Sequence, residues 1–117
     1  MISNLLLLGV AGGTGTILRY FIQKQLNSHF PFGTLAVNII GCLLIGLLWG
    51  YLTRNMSEQR QLMLITGFCG GFTTFSAFTA EGVQMMMDHR WLNFFIYTAT
   101  SIVAGLLATF IGFKLTS

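Results

Sequence analysis

Gly67-Phe-Cys-Gly-Gly-Phe-Thr-Thr-Phe-Ser-Ala-Phe78 governs how the whole chain folds. The stretch lies inside an apolar run long enough to cross a membrane, yet it carries three glycines and a block of hydroxyls. A lipid-facing helix has use for neither. At membrane depth, non-helical backbone survives only where protein or a water-filled cavity satisfies its polar groups. The segment therefore marks a place where something polar is handled inside a bilayer. Gly70-Gly71 has low helix propensity, and the hydroxyls of Thr73 and Thr74 compete for backbone bonds. A helix break is predicted there, freeing carbonyls of the kind that coordinate alkali cations in several transporter folds. The alternative is a continuous helix packed closely through its glycines.

The flanking sequence supplies the membrane. Of 117 residues, 54% are hydrophobic and 8% charged, with a mean hydropathy of +0.74. A soluble domain carries about a quarter charged residues. Four apolar runs, about 2–22, 33–52, 62–87 and 92–113, each approach the roughly 20 residues that a spanning helix needs. The expected fold is an all-α membrane protein: one domain of four transmembrane helices, the third broken near its middle. The first run does not read as a cleavable signal, because no basic segment precedes it and Arg19 sits at its far end. Cys42 and Cys69 fall inside apolar runs and read as small buried hydrophobes. No general base, nucleophile pair or phosphate loop appears, so no enzyme is expected, and no nucleic-acid partner either.

Charge placement bears on orientation. With four spans, Arg54, Arg60 and Lys114 share one side of the membrane. Lys24 and Arg90 lie on the other, joined by Arg19 if its side chain reaches outward. Orientation follows the Lys/Arg bias of short loops, and here the bias nearly vanishes. That favours insertion both ways, while a single orientation set by one charge stays equally open. The small size argues for an oligomer, since four helices enclose little by themselves. Gly9 and Gly13, Gly46 and Gly50, and Gly67 and Gly71 are spaced to let helix backbones approach. The spacing does not separate contacts within a subunit from contacts between subunits.

Several side chains are candidates for function. Phe75, Phe78, Thr79 and Gly82 fall on one helical face after the break. Such a stripe is commonly core or lipid contact, but a phenyl ring has a positive edge that can face an anion. Asn38 lies deep in the second run, where an unpartnered amide is costly to bury. A hydrogen bond between helices is the ordinary reason for such a residue. Tyr97, Ser101, Gly105 and Thr109 make a ladder down one face of the fourth run. Glu81 is the ionisable group set deepest in the membrane, whereas Arg19 can snorkel and Asp88 closes its run.

Taken together, these features resemble the CrcB/Fluc fluoride channels. The stretch at 67–78 is similar to the third-helix signature of that family. The likeness extends to Gly12-Gly-Thr-Gly-Thr-Ile-Leu-Arg-Tyr20 and to Gly33-Thr-Leu-Ala-Val-Asn-Ile-Ile-Gly41, and it covers the whole chain. The resemblance implies an antiparallel, dual-topology homodimer in the bacterial inner membrane. It would have two fluoride pathways and a structural sodium ion at the interface, held by the carbonyls of Gly70 and Thr73 from both subunits. Phe75 and Phe78 would line the pathway with Asn38, and Thr74, Ser76 and Thr79 would add hydroxyls. Glu81, Tyr97, Ser101 and Thr109 would form the polar track and its exit. Arg19 would draw anions into a vestibule. Gly105 and Ala77 depart from the pattern, standing where relatives often carry hydroxyls.

The implied activity is passive export of fluoride from the cytoplasm, with membrane lipid as surroundings. Two other classes compete. A small multidrug antiporter would need a membrane-embedded carboxylate; the first span has none, which leaves Glu81. A non-transporting assembly subunit would explain the glycines and the size but not Asn38 or the rings.

Overall fold

The computed structural model describes residues 1–55 and 57–117. The side chains of residues 52–56, including the Arg54 charge counted above, lie outside the described residues. The chain forms α1 (Ile2–Leu26) and α2 (Phe32–Asn55), then a compound third span and a long last helix. The third span starts with α3 (Glu58–Gln61), passes through a π-helical stretch (Leu62–Cys69), and closes its first half with α4 (Gly70–Phe72). Its second half is α5 (Phe75–Met87), and α6 (Trp91–Thr116) completes the fold. Among the described residues, four helical segments are long and apolar enough to cross a membrane, and no strand forms. This is a multi-pass all-α membrane protein.

The break falls at Thr73 and Thr74, both in extended conformation (φ −90°, ψ 157° and φ −149°, ψ 114°). Gly70 and Gly71 remain helical just ahead of it. The π-helical turns before the break were not foreseen. Two capping hydroxyls organise the restarts: Ser57 accepts the Arg60 N–H, and Thr74 accepts the Ala77 N–H at the start of α5.

The helices pair as α2 along α6 and α1 along the first half of the third span, with α5 lying more lightly on α6. Glycine sets both close pairings. A methyl group at Gly71 would strike the Gly12 carbonyl, and one at Gly46 would strike the Thr109 carbonyl. The pairs Gly46/Gly50 and Gly67/Gly71 therefore serve contacts inside the chain. Gly9 and Gly13 face open space, and Gly70 is exposed with only its own Ile65 carbonyl nearby.

Candidate functional site

A helix broken at membrane depth must settle its backbone groups, and Asn38 does this from α2. Its Oδ1 accepts the Thr74 N–H at 2.7 Å while its Nδ2 donates to the Thr74 carbonyl at 3.1 Å. One amide thus serves both polar groups of the residue on which the helix turns. A carboxamide carries two N–H donors, so Asn38 keeps one hydrogen for the cavity it lines.

The same two caps release particular carbonyls. In an uninterrupted helix the Thr74 N–H would bond to the Gly70 carbonyl, and the Ala77 N–H to that of Thr73. Here the first goes to Asn38 and the second to the Thr74 hydroxyl, 3.1 Å away. The Gly70 and Thr73 carbonyls have therefore lost their regular helical donors. The Gly71 carbonyl is treated differently, accepting Arg19 Nε at 3.1 Å. Arg19 thus turns inward, onto the break.

Beside the break lies a groove of about 270 Å³ lined by Asn38, Thr73, Thr74, Phe75, Phe78 and Ser101, among others. The Phe75 and Phe78 ring centroids are 5.9 Å apart, and Phe78 lies 5.3 Å from the ring of Tyr97. Tyr97 is fully buried. Its hydroxyl and that of Ser101 are buried without a hydrogen-bond partner among the described residues. Orphaned hydroxyls are uncommon in a folded core; these two belong to residues one helical turn apart, and of them Ser101 lines the groove. Phe75 is 76% exposed, so a single chain leaves the groove open on one side.

Farther along α5, Glu81 enters a second polar group. The Thr34 hydroxyl, fully buried, donates to Glu81 Oε1 at 2.6 Å. The same hydroxyl accepts Gln23 Nε2 at 2.9 Å and Asn27 Nδ2 at 3.2 Å. Since both amides are donors, the hydroxyl proton must point to Glu81. Arg19 joins through Nη1 to Gln23 Oε1 at 3.2 Å. A continuous chain of hydrogen bonds so runs from the Gly71 carbonyl, through Arg19, Gln23 and Thr34, to Glu81.

Comparison with known proteins identifies the family. The family model for the CrcB-like protein, Camphor Resistance (CrcB), matches residues 6–113. The chain belongs to the CrcB-like family. It is 43% identical over 111 residues to the fluoride-specific ion channel FluC of Flavobacterium psychrophilum, covering 90% of each chain. It is 43% identical over 114 residues to the FluC of Phocaeicola vulgatus, covering 93% of this chain and 94% of the relative. With the fluoride-specific ion channel FluC 2 of Rhodococcus jostii the identity is 42% over 116 residues, or 97% and 99% of the two chains.

Not every candidate gathers at the groove. Asn38, Thr74, Phe75, Phe78 and Ser101 do, with Thr73. Ser76 is exposed, 3.3 Å from the Thr74 hydroxyl. Thr79 bonds back to the Ser76 carbonyl and lines a separate apolar groove with Phe94 and Thr98. Thr109 donates to the Cys42 carbonyl at 3.0 Å and so joins α2 to α6. Gln23, Asn27 and Thr34 escaped the sequence reading. The first two had a signal, since Arg19, Gln23 and Asn27 recur every four residues as a polar stripe closing α1.

Proposed function

We propose that this chain is a passive fluoride-selective channel of the bacterial inner membrane that lets fluoride leave the cytoplasm. The observation that carries the reading is the groove at the helix break, where a spare amide hydrogen of Asn38 and the unpartnered Ser101 hydroxyl meet two phenyl rings. The FluC names of its relatives point the same way. Fluoride is small and holds its water tightly, so a pathway must replace that shell with donors. The amide and the Ser101 hydroxyl supply them at the groove, and the Tyr97 hydroxyl would follow one turn along α6. Ring edges of Phe75 and Phe78 add weak positive contacts, so the ion is held without being trapped. Thr74 borders this route, and Glu81 stands at its far end.

The open side of the groove supports assembly as an antiparallel homodimer with two pathways. Exposed Phe75 and the uncovered Gly70 backbone lie where a second copy would cover them. The near-even split of Lys and Arg accords with copies inserted in opposite directions. The residues at the break also suit a structural sodium ion. Gly70 and Thr73 carbonyls, freed of their helical donors, would contribute four neutral oxygens from two copies, a donor set for a hard alkali cation. No group of three or more His, Cys, Asp or Glu side chains occurs among the described residues. The ion would supply positive charge that ties the two breaks together.

Fluoride efflux from liposomes holding the purified protein tests the reading. Rapid fluoride release with chloride retained is expected; chloride passing as readily as fluoride overturns it.

A further inference from the structure

The groove and its track leave one charged pocket unexplained. It measures about 110 Å³ and is lined by Ser28, His29, Pro31, Glu81, Gln84, Met85 and Arg90. Along α5 it comes after the groove: Phe75 and Phe78 line the first, and Glu81, Gln84 and Met85 line the second. It lies where the α1–α2 turn meets the α5–α6 turn, at the end of the third span.

The α5–α6 turn is built to hold Arg90 in place. The Arg90 N–H bonds to the Met85 carbonyl at 2.8 Å and the His89 N–H to that of Met86 at 3.1 Å, with His89 at φ 58°. These are the paired bonds of a Schellman cap, here with histidine in the left-handed position that glycine usually fills. The guanidinium is then pinned from two sides. Nη1 donates to the His29 carbonyl, and Nη2 pairs with Asp88 at 3.3 Å. Nε is buried and has no partner among the described residues.

A buried guanidinium N–H with no acceptor is an open demand for an anion or water. The neighbouring carboxylates do not meet it. Glu81 takes its donors from Thr34 and from Asn27 at 3.5 Å, while Asp88 takes Gln84 and Arg90 Nη2. Arg19 is committed to the Gly71 carbonyl and Gln23. Among the described residues lining this pocket, Arg90 is thus a cation with a donor to spare.

We propose that this pocket is a binding site for a small hard anion that still carries part of its water shell, with Arg90 Nε as its charged donor and Ser28 completing it. For the channel reading on which this rests, it is the port where fluoride sheds or regains water. Because the ion keeps water there, the port distinguishes halides poorly. Chloride then occupies it without passing farther.

Initial fluoride flux into liposomes, measured against fluoride concentration with and without chloride, tests the assignment. In Arg90→Gln the fluoride concentration giving half-maximal flux is expected to rise about tenfold, as for loss of one charge-assisted hydrogen bond, with maximal flux largely kept. Competition by chloride should disappear with it. Unchanged half-saturation and unchanged competition overturn the port. If Arg90→Gln does not yield a monodisperse protein, Ser28→Ala decides: a rise of about threefold supports the site, as for one neutral hydrogen bond, and no rise overturns it. A wild type that carries no fluoride would instead remove the channel reading itself.

Discussion

Before its break, the third span lies so close on α1 that a methyl group at Gly71 would meet the Gly12 backbone; after it, a methyl group at Gly82 would sit an ordinary 3.6 Å from the Phe94 ring. The first half is locked by backbone contact and receives Arg19 on the Gly71 carbonyl. The second half touches its neighbours through rings and leaves room beside them. One span therefore joins a scaffold to a pathway, and Asn38 is the side chain that separates the two. The difference teaches that the break is held, not merely tolerated. The Thr74 N–H and carbonyl have named partners, while the Ser101 hydroxyl at the groove has none among the described residues.

The largest effect should follow from removing the partner of the break. Asn38→Leu strips the Thr74 N–H and carbonyl of their bonds, at roughly 1–3 kcal/mol for each buried group. The thermal midpoint in detergent should fall sharply, and a wild-type midpoint would show that the break needs no partner. Next, Gly71→Ala should destabilise by about 1–3 kcal/mol through backbone overlap, whereas Gly82→Ala should stay within about 1 kcal/mol of wild type. Equal effects at the two sites would erase the contrast between the halves.

Thr34→Val probes the link that runs around the break through α1. It leaves Gln23, Asn27 and Glu81 without their shared hydroxyl, a loss of about 1–3 kcal/mol measured by the same thermal unfolding. The smallest effect belongs to Asp88, at the far end of α5. Its carboxyl is held below the usual range by the Gln84 hydrogen bond and then by Arg90. Because the folded form favours the charged carboxylate, its contribution is present above the ordinary carboxylate range and is lost as pH falls through the depressed value. Asp88→Asn should flatten that acid limb by removing a small contribution near neutrality, and should match wild type at the acid end. An unaltered acid limb would remove Asp88 from the turn's energetics.

The sequence made the break legible because glycine and threonine act locally, through propensity and competing hydroxyls. Asn38 stood out as a lone amide, but its partner did not, since the Thr74 backbone is 36 residues away. Thr34 carried no mark in the second apolar run, because nothing local says that a hydroxyl receives two amides. Arg19 looked free to snorkel, and only the crossing of α1 over the third span turns it onto Gly71. The three glycine pairs look alike in sequence. Which of them meet a helix of the same chain, and which face outward, depends on the fold in three dimensions. The π-helical stretch left no local mark among ordinary apolar residues.

The most direct measurement pairs fluoride flux with assembly in Phe78→Ile. The replacement removes a ring that lines the groove while leaving Asn38, the two caps and the glycine contacts in place. Flux suppressed in a protein that elutes and unfolds as wild type does is the predicted result. Flux at the wild-type rate in that same intact protein would contradict the assignment of the groove as the fluoride pathway.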